Sequence, residues 1–180
     1  MRFPVDLAGV LEALGNTLTV TGEILLDDVD LGAEHYSFAA PARFSVTFVN
    51  GGAGNIVGTG TVVVAARATC VRCLREFDLA VSAPVEALYV LPGHEDEIPA
   101  EQEAEVIHEK HIDLHTALEQ AVSVELPFAP VHDEACLGMC PVCGCDRNQV
   151  ACSCEVAAGT SPFAVLEALL PDDENRPGDP

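Results

Sequence analysis

The chain has 180 residues, with 8 Lys+Arg against 29 Asp+Glu and a formal net charge of −21 with histidine neutral. Hydrophobic residues make up 49%, which excludes a wholly disordered polymer. The charge excludes a chain that grips nucleic acid over a broad basic face, and an anionic membrane would repel it. A basic partner is the electrostatically natural one.

The first residues, MRFPVDLAGVLEALG, are interrupted by Pro4, Asp6 and Glu12, unlike the unbroken apolar run of a secretory leader. No stretch reaches the ~20 apolar residues of a membrane helix. The expectation is a cytoplasmic protein that engages neither membrane nor DNA.

In chain order, Val5, Leu7, Val10, Leu11 and Leu14 recur at near-helical spacing and predict a short helix ending at Gly15-Asn16. A β-rich stretch follows. Thr17–Leu26, Tyr36–Val49 and Ile56–Thr69 are rich in Val, Thr, Ile and Phe, separated by Asp27-Asp28 and Asn50-Gly51-Gly52. Gly51, Gly52, Gly54, Gly58 and Gly60 read as a flexible turn. Glu76–Leu91 predicts one or two further strands, bent at Pro84. His94–Glu109 is an acidic segment (Glu95, Asp96, Glu97, Glu101, Glu103, Glu105) with little periodicity. It reads as a solvated loop or, more sharply, as a docking strip for a basic partner.

Asp113 is placed to cap a helix whose stripe is Leu114, Ala117, Leu118, Ala121 and Val122, up to Pro127. A cysteine-dense loop spans 132–154. Ser161-Pro162 then starts a second helix with Phe163, Val165, Leu166, Leu169 and Leu170 on its apolar face. The predicted fold is α+β: an antiparallel curved sheet or partial barrel, short flanking helices and a zinc-knuckle loop. The predicted organisation is a single domain over 1–171 with a disordered acidic tail at 172–180.

Six of the eight cysteines fall between Cys136 and Cys154. Cys140-Pro-Val-Cys143-Gly144 is a zinc-knuckle sequence: two thiolates three positions apart share one tetrahedral ion, and a glycine allows the tight turn behind them. Cys152 and Cys154 offer a second pair, and Cys70-Val-Arg-Cys73 is another C-x-x-C. Grouped cysteines in a reducing compartment point to metal rather than disulfides. Two pairings compete. Cys140, Cys143, Cys152 and Cys154 form a local site, or Cys70 and Cys73 join Cys140 and Cys143 in a ribbon with a long insertion. His132 and Cys136 supply ligands in either scheme, and Cys145 is spare. One or two structural zinc ions are expected. No βαβ unit surrounds Cys70, so thioredoxin-like chemistry is not indicated.

Arg67, Arg72 and Arg75 are three of only eight basic residues and cluster around the first C-x-x-C. They read as charge compensation beside thiolates, or as a local RNA or anion contact. His108-Glu-Lys-His111 is not H-E-x-x-H, and His111 and His115 are separated by the predicted helix start, so surface histidines are expected. No G-x-S-x-G, Walker A or G-x-G-x-x-G sequence is present. No catalytic residues are assigned.

Taken in order, several pieces resemble a bacterial family, the YceD large ribosomal RNA subunit accumulation proteins. They are Cys70-Val71-Arg72-Cys73-Leu74 with Phe77; Ile112-Asp113-Leu114; Leu126-Pro127-Phe128 with Pro130-Val131-His132-Asp133; Cys136 with Leu137 to Gly144; and Ser161-Pro162-Phe163-Ala164-Val165-Leu166. They extend over roughly residues 15 to 170. The resemblance implies a role in 23S ribosomal RNA accumulation during large-subunit assembly, and carries over Cys70, Arg72, Cys73, Cys140 and Cys143. The expected partner is a basic ribosomal protein or large-subunit precursor, with a local RNA contact possible at the arginines. The competing readings are a zinc- or thiol-dependent RNA-processing enzyme and a zinc-stabilised adaptor unrelated to ribosomes.

Overall fold

The computed structural model describes residues 2–99 and 102–154. The expected Ser161 helix and the acidic tail lie outside the described residues, as does Glu101 of the acidic segment. The chain divides into two units, one up to Cys136 and one from Leu137.

In the first unit, strand β1 (Pro4–Asp6) leads into a single helical turn, α1 (Ala8–Leu11). Long strands follow: β2 (Thr17–Ile24), the small hairpin β3 (Val29–Leu31) and β4 (Glu34–Tyr36), then β5 (Ala42–Gly52), β6 (Asn55–Thr69) and β7 (Glu76–Val90). β8 (Glu105–Val106), β9 (His111–Asp113) and helix α2 (Leu114–Glu125) complete the unit. The main sheet runs β2-β5-β6-β7-β8. Its long pairs are antiparallel, but β8 joins β7 in parallel, so the sheet is mixed, and it does not close into a barrel.

One face of this sheet makes the core. β6 alternates almost strictly: Ile56, Val62, Val64, Ala66 and Ala68 are buried, while Val57, Thr59, Thr61, Val63, Ala65 and Arg67 face outward. This is the period-2 pattern of a sheet with one solvated side. Phe44, Val46 and Phe48 of β5 and Val81, Ala83 and Val85 of β7 extend the same layer. Helix α2 lies against β7 and β6 and closes the layer with Leu114, Leu118 and Val122. The Tyr36 hydroxyl donates to the Pro127 carbonyl, fastening β4 to the segment after α2.

Three expectations need correction. The N-terminal helix shrinks to one turn because Val5 is used in a strand, paired with Ile112 of β9, and Leu14 is solvent-exposed. Gly58 and Gly60 are not turn residues: both lie inside β6, opposite Phe48 and Val46. A Cβ on Gly60 would stand 2.0 Å from the Ser45 carbonyl oxygen, so this crossing requires glycine. The turn itself is Ala53-Gly54, with both φ angles positive (49° and 75°), the two-residue hairpin geometry that suits right-twisted strands. Of the one or two strands expected over Glu76–Leu91, one forms, β7, with Pro84 paired to Thr61 inside it; its far side meets β8 only at Tyr89 and Val90, an edge where a missing N–H breaks no ladder. Finally, His115 is buried, on the inner face of α2 beside Leu114 and Leu118. His111 remains exposed.

The α2 cap is as expected. The Asp113 carboxylate accepts the His115 backbone N–H at 3.2 Å, and it also accepts the Phe3 N–H at 2.8 Å. One side chain thus starts the helix and anchors the chain's beginning.

Candidate metal centres

The C-x-x-C sequences build two knuckles of the same local geometry. In the first, which links β6 to β7, the Leu74 N–H donates to the Cys70 carbonyl at 2.8 Å and the Cys70 N–H to the Arg75 carbonyl at 2.8 Å. In the second, the Gly144 N–H donates to the Cys140 carbonyl at 2.9 Å and the Cys140 N–H to the Cys145 carbonyl at 2.8 Å. The residue after the second cysteine is left-handed in both: Leu74 at φ 59° and Gly144 at φ 72°. Leucine accepts there the backbone form that glycine adopts freely. The turn leaves both cysteine side chains on one side, each pair ready to chelate.

The first unit assembles one sulfur-rich group. Ligand atoms of Cys70, Cys73, His132 and Cys136 all lie within 4.8 Å of one another. The three cysteines are buried, and Phe77 and Val131 pack around them. Cys70 Sγ stands 3.9 Å from Cys136 Sγ, and Cys73 Sγ 3.5 Å from His132 Nδ1. The Val71 N–H donates to the Pro130 carbonyl at 2.9 Å, aligning the knuckle with the segment that carries His132. Arg72 Nη1 donates to the carbonyls of Glu134 (2.9 Å) and Cys136 (3.2 Å), clasping that segment from the other side.

The second unit holds Cys140, Cys143, Cys152 and Cys154, again within 4.8 Å of one another. Cys152 Sγ is 3.5 Å from Cys143 Sγ and 3.4 Å from Cys140 Sγ. Cys140 is buried, whereas Cys143 and Cys154 are exposed. None of the eight cysteines is in a disulfide.

The donor sets, three thiols with one imidazole and four thiols, are those that hold a tetrahedral ion. Four sulfurs at about 2.3 Å from one ion sit about 3.8 Å apart, and the observed separations of 3.4 to 3.9 Å are close to that. Both groups can therefore hold a metal ion. Their electrostatics favour thiolate at selected positions. Burial pushes the Cys70 thiol up, but hydrogen bonds from the His132 side chain and from the backbone of His132, Cys73 and Arg72 outweigh it and bring it down to about 5. Burial raises Cys73. Backbone and side-chain hydrogen bonds from Cys145, with Cys152 and Cys140, hold Cys143 at about 6. Hydrogen bonding to Cys143, then burial and Cys152, pushes Cys145 up to about 12, and hydrogen bonding to Cys152, then Cys143 and burial, pushes Cys154 up to about 12.

Sequence spacing singled out every residue of these two groups. It did not settle which cysteines associate; the structure groups Cys70 and Cys73 with His132 and Cys136, and Cys140 and Cys143 with Cys152 and Cys154. The three arginines are all engaged. Arg67 Nε and Nη2 donate to Asp78 Oδ1 at 3.1 and 3.0 Å across the β6–β7 pair, Arg72 makes the clasp, and Arg75 Nη2 lies 2.6 Å from His132 Nε2. That last contact was not foreseeable from sequence, because 57 residues separate the partners.

Of the acidic segment, Glu95–Glu97 forms a 3-10 turn, and Glu95, Asp96 and Glu103 are exposed. The Glu95 carboxylate accepts the Gly93 N–H at 2.7 Å. No helix among the described residues is long and apolar enough to cross a membrane.

A β-rich protein with paired knuckles is thus the class that fold and site define. Residues 58–170, more than half of the chain, match the family described as "Large ribosomal RNA subunit accumulation protein YceD". The chain belongs to the YceD family. The match covers both cysteine groups but starts within β6, later than the resemblance at residue 15 suggests. Among curated proteins, the chain is similar to uncharacterized proteins of Mycobacterium tuberculosis and Mycobacterium bovis, each 36% identical over 90 residues covering 49% of this chain and 44% of the relative. It is also similar to one of Mycobacterium leprae, 34% identical over 92 residues covering 50% and 42%. The matched region spans less than half the length of these relatives. No solved structure matches the chain.

Proposed function

We propose that this chain is a non-enzymatic ribosome-biogenesis factor that supports 23S ribosomal RNA accumulation in the cytoplasm by binding a basic ribosomal protein of the large-subunit precursor. The observation that carries the reading is family membership held by a chain of net charge −21. The family name speaks of ribosomal RNA, yet such a chain repels phosphate at long range. A carrier that shields the Lys and Arg of a ribosomal protein reconciles the two, because complementary charge speeds encounter and excludes wrong partners. In this reading residues 1–171 act as one YceD-like domain with the 132–154 loop as part of it, and 172–180 as an acidic tail.

The metal in both groups is zinc, with a structural role. Four protein ligands leave no open position for a reacting water, whereas a catalytic zinc site keeps one. The first ion would tie the β6–β7 knuckle to the segment after α2, and the second would fix the 140–154 loop. A direct RNA contact at Arg67, Arg72 and Arg75 is the second reading. It is favoured by their clustering and weighed down by their internal contacts, which RNA would have to displace.

The test replaces Glu95, Asp96 and Glu103 by their amides and measures association with purified basic large-subunit proteins. Association slows several-fold at low salt, and the difference shrinks as salt rises. Unchanged binding to every such protein would sink the acidic-carrier mechanism.

A further inference from the structure

We propose a third cation site, chemically distinct from the two sulfur groups, in which the carboxylates of Asp27 and Glu119 and the imidazole of His115 hold a divalent transition ion such as manganese. Asp27 lies on the connection from β2 to β3, while His115 and Glu119 are one turn apart on α2. Ligand atoms of the three lie within 4.8 Å of one another.

His115 supplies the independent observation. It is 5% exposed, in a position on α2 where an apolar side chain would complete the core stripe. Its Nδ1 is 3.2 Å from Glu119 Oε2. Its Nε2 is buried and has no hydrogen-bond partner among the described residues. A buried polar atom without a partner calls for an explanation. A neutral imidazole has one N–H and one lone pair. With the proton on Nδ1, facing Glu119 at 3.2 Å, the lone pair at Nε2 is bare, and a cation there is satisfied by Nε2 with Asp27, Glu119 then orienting the ring rather than ligating. With the lone pair at Nδ1, that nitrogen and Glu119 share the ion directly, since neighbouring ligands at about 2.1 Å from an ion sit about 3 Å apart. Either arrangement brings two carboxylates together in a chain already at −21, and a cation offsets their repulsion.

The donor set decides the ligand class. Carboxylate and imidazole suit manganese and zinc, whereas thiolates select softer ions. Three protein groups do not fill a coordination sphere, so water occupies the rest and the ion exchanges more readily than one closed in by four ligands. Its structural effect is to pin the β2–β3 connection to α2.

The test uses the full chain loaded with two equivalents of zinc, so that the thiolates are occupied, and then titrated with Mn2+ under electron paramagnetic resonance. The proposal expects one ion whose spin-echo spectrum shows a directly coupled nitrogen. Asp27 is exposed, so Asp27→Asn leaves the core intact, which an unchanged metal-free melting curve verifies; it weakens Mn2+ at least tenfold. Glu119→Gln also weakens it and, if it only orients the ring, less than Asp27→Asn does. No nitrogen coupling, or equal Mn2+ affinity in Asp27→Asn, overturns the site.

Discussion

Removing one thiolate from each sulfur group should have unequal consequences. Cys70→Ser opens the group that joins β6–β7 to the segment after α2, whose members are separated by 59 and 66 residues. Cys143→Ser opens a group whose members are 9 to 12 residues apart. A metal clip constrains the unfolded chain as a cross-link does, and the loop-closure expression gives about 4 kcal/mol for a loop of ~60 residues and about 3 kcal/mol for one of ~10. Apparent binding energies of about 10–16 kcal/mol for a four-ligand structural zinc imply about 3–4 kcal/mol per ligand, or 10²- to 10³-fold in affinity for either substitution. Only the first loss falls on the β core. Cys70→Ser should therefore lower the core melting temperature by on the order of 10 °C, and Cys143→Ser should leave it unchanged. Against a chelator matched to the native affinity, each variant should retain one zinc where the unsubstituted chain is expected to retain two. Calorimetry paired with elemental analysis reads both quantities. Equal shifts in core melting, or unaltered zinc content in both variants, would refute the assignment of the groups.

Other outcomes follow from single contacts. Arg72→Ala removes a charged donor from the Glu134 and Cys136 carbonyls and should weaken zinc at the first group about 5- to 30-fold, from ~1–2 kcal/mol for exposed charge-assisted bonds; competition with a chelating dye measures it. Gly60→Ala drives a methyl into the Ser45 carbonyl and should cost about 2–3 kcal/mol, as overpacking does, in denaturant melts. In the metal-stripped chain, Cys143 is exposed and its thiol is lowered to about 6 by hydrogen bonds from Cys145. A lowered thiol keeps its reactive thiolate at lower pH, so alkylation at pH 6.5 should label Cys143 before Cys145 or Cys154, by mass spectrometry of the peptides.

The sheet was legible in the sequence because its strands are rich in Val, Thr, Ile and Phe and are parted by turn residues such as Asn50-Gly51-Gly52; which face is buried was not, since Val62 to Ala68 is apolar on both sides apart from Arg67. The α2 boundary was legible because Asp113 caps it and an apolar stripe follows. What escaped was long-range. Val5 scans as helical until Ile112 pairs with it, and Gly60 scans as a turn until the closeness of β5 is known. The two-residue β8 is too short for any pattern. At the metal centres, the C-x-x-C spacing reveals the knuckles, but the partner of each is set by chain topology. Leu74 gives no hint that it takes the same left-handed conformation as Gly144. His115 hides because a histidine on a predicted helix carries no mark of which face is buried.

The most direct test of the functional account is capture of the tagged chain from a lysate of its own cells, with and without nuclease, at low and moderate salt. The account predicts recovery of large-subunit ribosomal proteins that survives nuclease and is lost as salt rises. Absence of every ribosomal component under all four conditions would contradict it.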